Sequence, residues 1–494
     1  MTLAFHMMPL VGTILLLASR RVSLLAAGIA GMALALVTMV APMLAVQPSA
    51  SSMLGPVLGA AAMKAGEGAW LAWHAMSIIG AGLLFHRAFE ARGTQTAAVA
   101  PENRRRAVFV ACFLVGPFAE SVTGFGVGLV VALAMLRAMG LPPVQSAVLG
   151  LFSQILAAWG AMGVGSRVGA ELIGVSFTEL GTASALLMAV VLPCLLPVFW
   201  GLIHSSGLRS GLRDRATDVA LLLCLAGLIW LTNRFVAPEL GGGLATAILL
   251  LAVEGPRLLR SGTGVRELAD RLWPYGLLIA GLMATRLLPP LSDWTGQWLV
   301  LDPFGGLAPL ALLRHPATWL VLIAGILLAG LPRNEAGGVV GGALRAALVP
   351  MAATLVFVEF ATFMAASGGA AMFGNAWRDV AGRFAVLASP VFGAAAGMLT
   401  GSNTASNALM MHIQLSLAAE SGLPSILIAA VQTIAGSICT MLTPGRIVLA
   451  AGLVGLERSE GAIYRRALPI GLATILALLA VIVAMAGVNA YGLA

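Results

Sequence analysis

Long apolar segments separated by short polar or basic stretches account for most of the chain. Segments close to the roughly 20 residues that cross a bilayer lie at about positions 3–19, 22–46 and 68–89. Two longer regions, 107–204 and 346–456, are also apolar, but Gly, Pro and polar residues interrupt them. The pattern predicts an all-α polytopic membrane protein with about 12–14 membrane elements, some of which cross only half of the bilayer.

Composition and charge agree with this interpretation. Of the 494 residues, 60% are hydrophobic and 10% are charged, whereas soluble domains have about 25% charged residues. The net charge of +8 comes from Arg residues spaced between apolar segments, which indicates topology signals and no nucleic-acid surface. The turn Arg20–Arg21 and the loop 87–106 are predicted to be cytoplasmic, which puts the N-terminus outside. The start of the chain is predicted to be a first span, and the polar segment 47–67 a linker.

The two interrupted regions share a layout. A-E-S-V-T-G-F-G (119–126) precedes G-L-P-P in the first region, and G-S-N-T-A-S-N (401–407) precedes G-L-P-S in the second. Such breaks at corresponding places predict inverted repeats with broken helices, re-entrant hairpins and a site between the repeats; the alternative is that Gly and Pro are common in membrane helices. The predicted domains are N-terminal scaffold spans (1–106), a first repeat region (107–204), central scaffold spans (205–345), a second repeat region (346–456) and a C-terminal span (457–494).

Polar side chains within these breaks are the candidate site residues. In hydrocarbon such groups persist where protein or a water-filled cavity satisfies them, although 401–407 also suits a helix N-terminus capped by Ser402 or Thr404. Glu120 is the candidate proton-coupling residue, with Glu359 as the alternative and a helix cap as the structural explanation. The predicted substrate-binding residues are Ser121, Thr123, Gly124, Gly126, Ser402, Asn403, Thr404, Ser406, Asn407 and Arg446. Arg446 suits either a substrate carboxylate or a membrane interface.

Enzymatic and metal chemistry find no support in the sequence. The chain has no phosphate-binding G-x-x-x-x-G-K-[ST] motif, no H-E-x-x-H motif and no protease motif, so we predict a gradient-driven carrier with no catalytic, metal or cofactor site. The cysteines are isolated in apolar segments and indicate packing roles; they are Cys112, Cys194, Cys224 and Cys439. The histidines lack a partner at metal-ligand spacing; they include His74, His86, His204, His315 and His412.

At these motifs the chain resembles the L-lactate permease family of bacterial carriers. The resemblance rests on A-E-S-V-T-G-F-G with the later W-G-A-M-G (159–163), and on G-S-N-T-A-S-N-A-L with the later M-L-T-P (441–444). It is thin between about 205 and 332. The resemblance implies an ion-transporter fold with hairpins and broken helices, and uptake of lactate or glycolate with protons. Glu120 matches the Glu of the family.

The polar lining departs from the family pattern at several places. Family members read G-S-D-T where this chain has Ser402–Asn403–Thr404, so an amide replaces a possible coupling carboxylate. They carry Asn-Thr at the place of Ser153–Gln154, Lys at the place of Thr440, and Gln-Ser at the place of Gly445–Arg446. A cation moved from position 440 to 446 is consistent with an anionic substrate of altered size.

The sequence therefore predicts a secondary active transporter that takes up a small organic anion, of the lactate or glycolate type, with protons. The alternative is a sodium-coupled carrier of another mono- or dicarboxylate, because amides and carbonyls at helix breaks can bind Na⁺. A membrane scaffold or sensor without flux is a third class. The expected partners are the anion, the coupling ion and membrane lipid, and a homo-oligomer is left open.

Overall fold

A computed structural model describes residues 2–45, 50–93, 103–260, 265–419, 421–456 and 460–490. The described residues are almost entirely helical. In the first half the helices are α1 (Thr2–Ser19), α2 (Leu24–Ala45), α3 (Ala50–Glu90), α4 (Arg104–Val110), α5 (Gly116–Thr123), α6 (Val127–Ala138), α7 (Pro143–Leu151), α8 (Gly160–Leu172), α9 (Phe177–Ser205), α10 (Leu212–Phe235) and α11 (Gly241–Arg260).

The second half continues in the same manner. Its helices are α12 (Val265–Leu287), α13 (Pro289–Gln297), α14 (Pro316–Ala329), α15 (Arg333–Ala366), α16 (Gly369–Ala381), α17 (Ser389–Thr400), α18 (Asn403–Ala418), α19 (Ser425–Cys439), α20 (Pro444–Leu453) and α21 (Glu460–Ala490). Between α13 and α14, β1 (Val300–Leu301) pairs antiparallel with β2 (Leu310–Ala311). Shorter helical turns join the broken segments: a π-helical turn at Ala111–Val115 and 3₁₀ turns at Phe152–Gln154, Ala157–Trp159, Pro238–Leu240, Gly382–Ala388 and Thr440–Leu442.

Ten helices among the described residues are long and apolar enough to cross a membrane. Two further helical pieces, Pro143–Gln154 and Ala157–Leu172, meet at an angle of 51° and are together long and apolar enough for a broken span. The protein is therefore a multi-pass membrane protein. The linker expected at 47–67 is wrong from Ala50 onward, because α3 runs unbroken to Glu90. This stretch is rich in Ala and Met, which favour helix, and Lys64 pairs with Glu67 at 2.7 Å on adjacent turns.

Hydrogen bonds between helix ends define one side of the protein, which we call the basic side. The Arg104 Nη2 atom donates to the Gly140 carbonyl at 2.9 Å, so α4 begins where α6 ends. The Arg106 Nη2 atom donates to the Val253 carbonyl at 2.6 Å, which adds the end of α11. The first hairpin, α5–α6, therefore enters from the basic side.

Contacts at the opposite ends define the far side. Arg286, at the end of α12, pairs with Glu239 before α11 and donates to the Arg314 carbonyl before α14 at 2.7 Å. After α14 and α15 have crossed and returned, α16 begins beside the start of α1, where a Cβ on Gly369 would lie 3.0 Å from the His6 carbonyl. The second hairpin, α17–α18, follows α16 and enters from the far side.

The two halves thus repeat the order of hairpin and broken helix with opposite direction. In the first half α5–α6 is followed by α7 and α8, and in the second half α17–α18 is followed by α19 and α20. The predicted all-α polytopic fold with inverted repeats, re-entrant hairpins and broken helices is confirmed.

Packing divides the helices into groups. The largest apolar core joins residues of α4–α11 with residues of α17–α21. A second cluster surrounds α3, α12 and α14, and a third joins α1, α2, α15 and α16. The long helix α15 packs mainly against α3 and α2, and α10 and α11 pack against α9 and α5. The five-part domain division drawn from the sequence stays a prediction.

Candidate functional site

The tip of the first hairpin holds Glu120 against a helix N-terminus. The chain turns through Gly124, Phe125 and Gly126, all with positive φ (73°, 57° and 84°), before α6 begins. The Gly126 N–H lies 3.1 Å from Glu120 Oε2 and 3.3 Å from Oε1, and the Gly128 N–H lies 3.1 Å from Oε2. The carboxylate of Glu120, which is 2% exposed, therefore caps the positive end of α6.

Close backbone packing makes this cap possible. A Cβ on Gly128 would lie 2.3 Å from the Gly116 carbonyl oxygen and 2.8 Å from the Glu120 Cβ. The first turn of α6 can approach α5 this closely because no side chain intervenes.

The tip of the second hairpin has no such internal anion. Gly401 turns the chain with a φ of 65°, and the Ser402 hydroxyl caps α18 by accepting from the Ala405 N–H at 3.3 Å. The N–H groups of Asn403 and Thr404 lie in the first turn of α18, where they have no intrahelical acceptor. The N-terminus of α18 is thus suited to bind an anion, as the N-terminus of α6 binds the Glu120 carboxylate.

Both tips line one cavity of about 350 Å³. The hairpins and the broken helices contribute Glu120, Gly124, Phe125, Ala157, Gly160, Ala161, Val164, Gly165, Thr400, Gly401, Ser402, Asn403, Thr404, Ala405, Thr440 and Arg446. Helices α2, α3 and α15 contribute Leu24, Ile79, Val349, Pro350, Ala353 and Thr354. Helix α1 begins on the far side, so α2, which follows it, begins on the basic side at Leu24. Because Leu24 lines the cavity, the cavity extends toward the basic side.

Two charged side chains occur among these lining residues, Glu120 and Arg446. Arg446, at the start of α20, supplies the positive charge, and Glu120 supplies the negative charge. The Arg446 Nη1 atom donates a hydrogen bond to Oε1 of Gln154, which is fully buried in the break between α7 and α8. The lining charges therefore sum to zero while Glu120 is ionised, and the guanidinium keeps other N–H groups for a ligand.

The amides behind the tip of α18 are held by α8. Asn403 Nδ2 donates to the Ser166 hydroxyl at 3.4 Å, and Asn407 Nδ2 donates to the Gly165 carbonyl at 2.9 Å. Their Oδ1 atoms are buried and have no hydrogen-bond partner. A Cβ on Gly165 would lie 2.7 Å from Asn403 Nδ2, so glycine allows the contact.

The other predicted substrate-binding residues lie near the cavity but not in its lining. Gly126 donates its N–H to Glu120, Thr123 donates its hydroxyl to the Ala119 carbonyl at 2.6 Å, and Ser406 accepts from Gln432 Nε2 at 3.1 Å. The buried Ser121 hydroxyl has no partner. These residues position the hairpins, and direct contact with substrate stays a prediction for them.

A sequence model of the L-lactate permease matches residues 4–255 and 305–490. The chain belongs to the L-lactate permease family. The L-lactate permease of Escherichia coli K12 is 23% identical over 418 residues, which cover 74% of this chain and 75% of that protein. The L-lactate permease of Salmonella typhimurium LT2 is 24% identical over 425 residues, with the same coverage. The resemblance read from the hairpin motifs is confirmed.

Among solved structures, the YdaH transporter of Alcanivorax borkumensis has the same fold. It aligns over 97% of this chain and 99% of its own, with a TM-score of 0.50 and 16% sequence identity. At this identity the likeness shows the fold alone.

The alternative coupling residue, Glu359, lies outside the cavity lining of this L-lactate permease homologue. It is 7% exposed on α15 and faces α3, where a Cβ on Gly68 would lie 2.7 Å from its Oε2 atom. Its Oε2 atom has no hydrogen-bond partner. Glu359 is therefore a buried carboxyl group between two packed helices.

Sequence reasoning missed several features of this site. Gln154 entered only as a departure from the family, and nothing near it in the chain indicates a contact with Arg446, 292 residues away.

Outside the cavity lining, two histidines described as isolated, His74 and His315, place their rings 5.7 Å apart. Among the described residues no group of three or more His, Cys, Asp or Glu side chains is arranged to hold a metal ion. The apolar wall from α2, α3 and α15 carries no polar motif that would have identified it.

Proposed function

We propose that this protein is a secondary active carrier that takes up a small monocarboxylate, of the lactate or glycolate type, together with a proton. One observation carries the proposal: two helix N-termini meet at one cavity, and the Glu120 carboxylate caps one of them, whereas the other is capped by the neutral Ser402 hydroxyl and holds no anion. A substrate carboxylate at the N-terminus of α18 would reproduce the cap that Glu120 provides for α6. Arg446 would supply the counter-charge, with two parallel N–H donors.

Charge balance links this binding step to a proton. With Glu120 ionised and Arg446 protonated the cavity is neutral, so a bound monocarboxylate leaves one net negative charge. At an effective dielectric constant of about 20, two like charges about 6 Å apart repel by about 3 kcal/mol. A proton on Glu120 removes this repulsion, so substrate and proton bind best together. The expected stoichiometry is one proton for each monocarboxylate.

Alternating access would expose this site to each side in turn. The cavity extends toward the basic side, and the Glu239–Arg286 pair joins helix ends on the far side. By the positive-inside rule the basic side is cytoplasmic, which puts the N-terminus outside. The bacterial relatives favour the inner membrane as the location of the protein. The conformation described is then inward-facing. One chain supplies the whole cavity lining. The mechanism therefore operates within each subunit, in a monomer and in a homo-oligomer alike.

Sodium coupling is a second candidate, supported by a different observation. The buried Oδ1 atoms of Asn403 and Asn407 have no hydrogen-bond partner, and amide oxygens at helix breaks suit a hard monovalent cation. Sodium at this position would neutralise the substrate without Glu120.

Uptake of labelled lactate into proteoliposomes of the purified full chain tests the proposal. We expect an inward proton gradient to drive accumulation without Na⁺, and a Na⁺ gradient alone to drive none. Accumulation that requires Na⁺ and ignores the proton gradient would select the second candidate. No gradient-driven accumulation of lactate or glycolate would remove the carrier proposal for these substrates.

A further inference from the structure

The cavity has walls of different chemistry. Glu120 in the first hairpin and Arg446 in α20 supply its charged groups, and the second hairpin supplies the N-terminus of α18. The wall from α2, α3 and α15 is apolar apart from Thr354. Its apolar side chains are Leu24, Ile79, Val349, Pro350 and Ala353. A ligand whose carboxylate lies at α18 therefore has its remaining atoms beside hydrocarbon.

The volume of the cavity exceeds what lactate needs. If each non-hydrogen atom of a bound acid takes roughly two-thirds of the ~30 Å³ that a water occupies, the six atoms of lactate fill about 120 Å³. The cavity measures about 350 Å³, a size within the range of about 300–1,000 Å³ that houses considerably larger ligands. Lactate alone would leave part of the apolar wall facing water.

The charge of the lining limits the ligand to one carboxylate. Arg446 is the single cationic side chain among the lining residues, which all belong to the described part of the chain. A second carboxylate would lie against the apolar wall without a counter-charge, at a high desolvation cost.

We propose that the cavity prefers monocarboxylates with an apolar side chain longer than the methyl group of lactate, such as branched 2-hydroxy acids, and discriminates against dicarboxylates. This inference rests on the proposed function. The carboxylate binds at the N-terminus of α18 and Arg446, and the side chain packs against the wall formed by α2, α3 and α15. Burial of each added methylene favours binding because apolar surface leaves water.

Competition with labelled lactate uptake in proteoliposomes tests the preference. The two competitors are 2-hydroxy-4-methylpentanoate and malate, which are both 2-hydroxy acids with nine non-hydrogen atoms and differ in whether the tail is apolar or charged. We expect 2-hydroxy-4-methylpentanoate to compete about ten-fold better than lactate, and malate at least ten-fold worse. Counterflow of labelled 2-hydroxy-4-methylpentanoate should show that it crosses the membrane.

Variants of the apolar wall test whether this wall determines the preference for a longer apolar side chain. Ala353→Leu narrows the cavity, and Val349→Phe does so at a side chain that is 63% exposed. In each variant we expect the affinity for 2-hydroxy-4-methylpentanoate relative to lactate to fall at least ten-fold. Ala365→Leu makes the same change at an exposed position of α15 outside the cavity lining, and should keep the wild-type ratio.

The outcomes separate this inference from the proposed function. If no monocarboxylate is taken up, the proposed function fails. If lactate is taken up but malate competes as well as 2-hydroxy-4-methylpentanoate, the preference is overturned while the carrier proposal stands. An unchanged affinity ratio in folded Ala353→Leu and Val349→Phe protein would also overturn it, because the tail would then lie elsewhere.

Discussion

Replacement of Glu120 by Gln tests how the cavity couples substrate to proton. The amide keeps the size of the side chain and can still accept from the Gly126 or Gly128 N–H group, which lie about 3.1 Å from Oε2 in the native protein. It removes the negative charge, so Arg446 would be the remaining charge in the lining. A monocarboxylate then neutralises the cavity without a proton.

The expected effect follows from this balance. In the native protein a gradient of one pH unit supports about ten-fold accumulation at one proton per substrate, because ten-fold corresponds to about 1.4 kcal/mol. In Glu120→Gln the same gradient should support none, while exchange of labelled for unlabelled lactate continues.

Glu359→Gln is the matched control, because it makes the same change at a buried carboxyl group outside the cavity lining. We expect it to retain gradient-driven accumulation. Ten-fold accumulation by Glu120→Gln, or its loss in Glu359→Gln but not in Glu120→Gln, would refute the assignment and point to Glu359.

Three further substitutions give distinct outcomes. Arg446→Lys replaces two parallel donors by a point charge, and should raise the KM for lactate about ten-fold or more in uptake assays; an unchanged KM would place the carboxylate elsewhere. Asn403→Asp puts a negative charge at the N-terminus of α18, and should weaken lactate binding at least ten-fold at neutral pH in a direct binding assay, whereas tighter binding would contradict an anion at that position. Gly128→Ala places a Cβ 2.3 Å from the Gly116 carbonyl, and should lower thermal stability and reduce the yield of monodisperse protein, whereas a stability equal to that of the native protein would show that the hairpin can relax.

The position of the hairpin tips could be predicted from the sequence, whereas their partners could not. Glycines and hydroxyl or carboxyl side chains inside apolar segments indicate places where a membrane helix breaks. The segments 119–126 and 401–407 could therefore be identified as breaks. The convergence of Glu120 with Asn403 on one cavity followed from the repeat layout, because inverted repeats bring corresponding breaks to one interface.

Tertiary contacts without a local signal were not predictable. Gln154 faces Arg446 because two broken helices from different halves cross there, and local periodicity carries no information on such a crossing. The apolar wall at Ile79 and Ala353 looks like any lipid-facing stretch in sequence, because hydrocarbon and a substrate tail favour the same side chains. The linker prediction for 47–67 failed from Ala50 onward because the small residues there lack apolar periodicity, although Ala favours helix strongly.

A structure of the full chain with lactate bound most directly tests whether the two helix N-termini form one carboxylate site. We expect the carboxylate at the start of α18, within hydrogen-bond distance of the Asn403 or Thr404 N–H group, with Arg446 as its cation and Glu120 still at the N-terminus of α6. Lactate bound away from Arg446 and from the first turn of α18 would contradict the shared site.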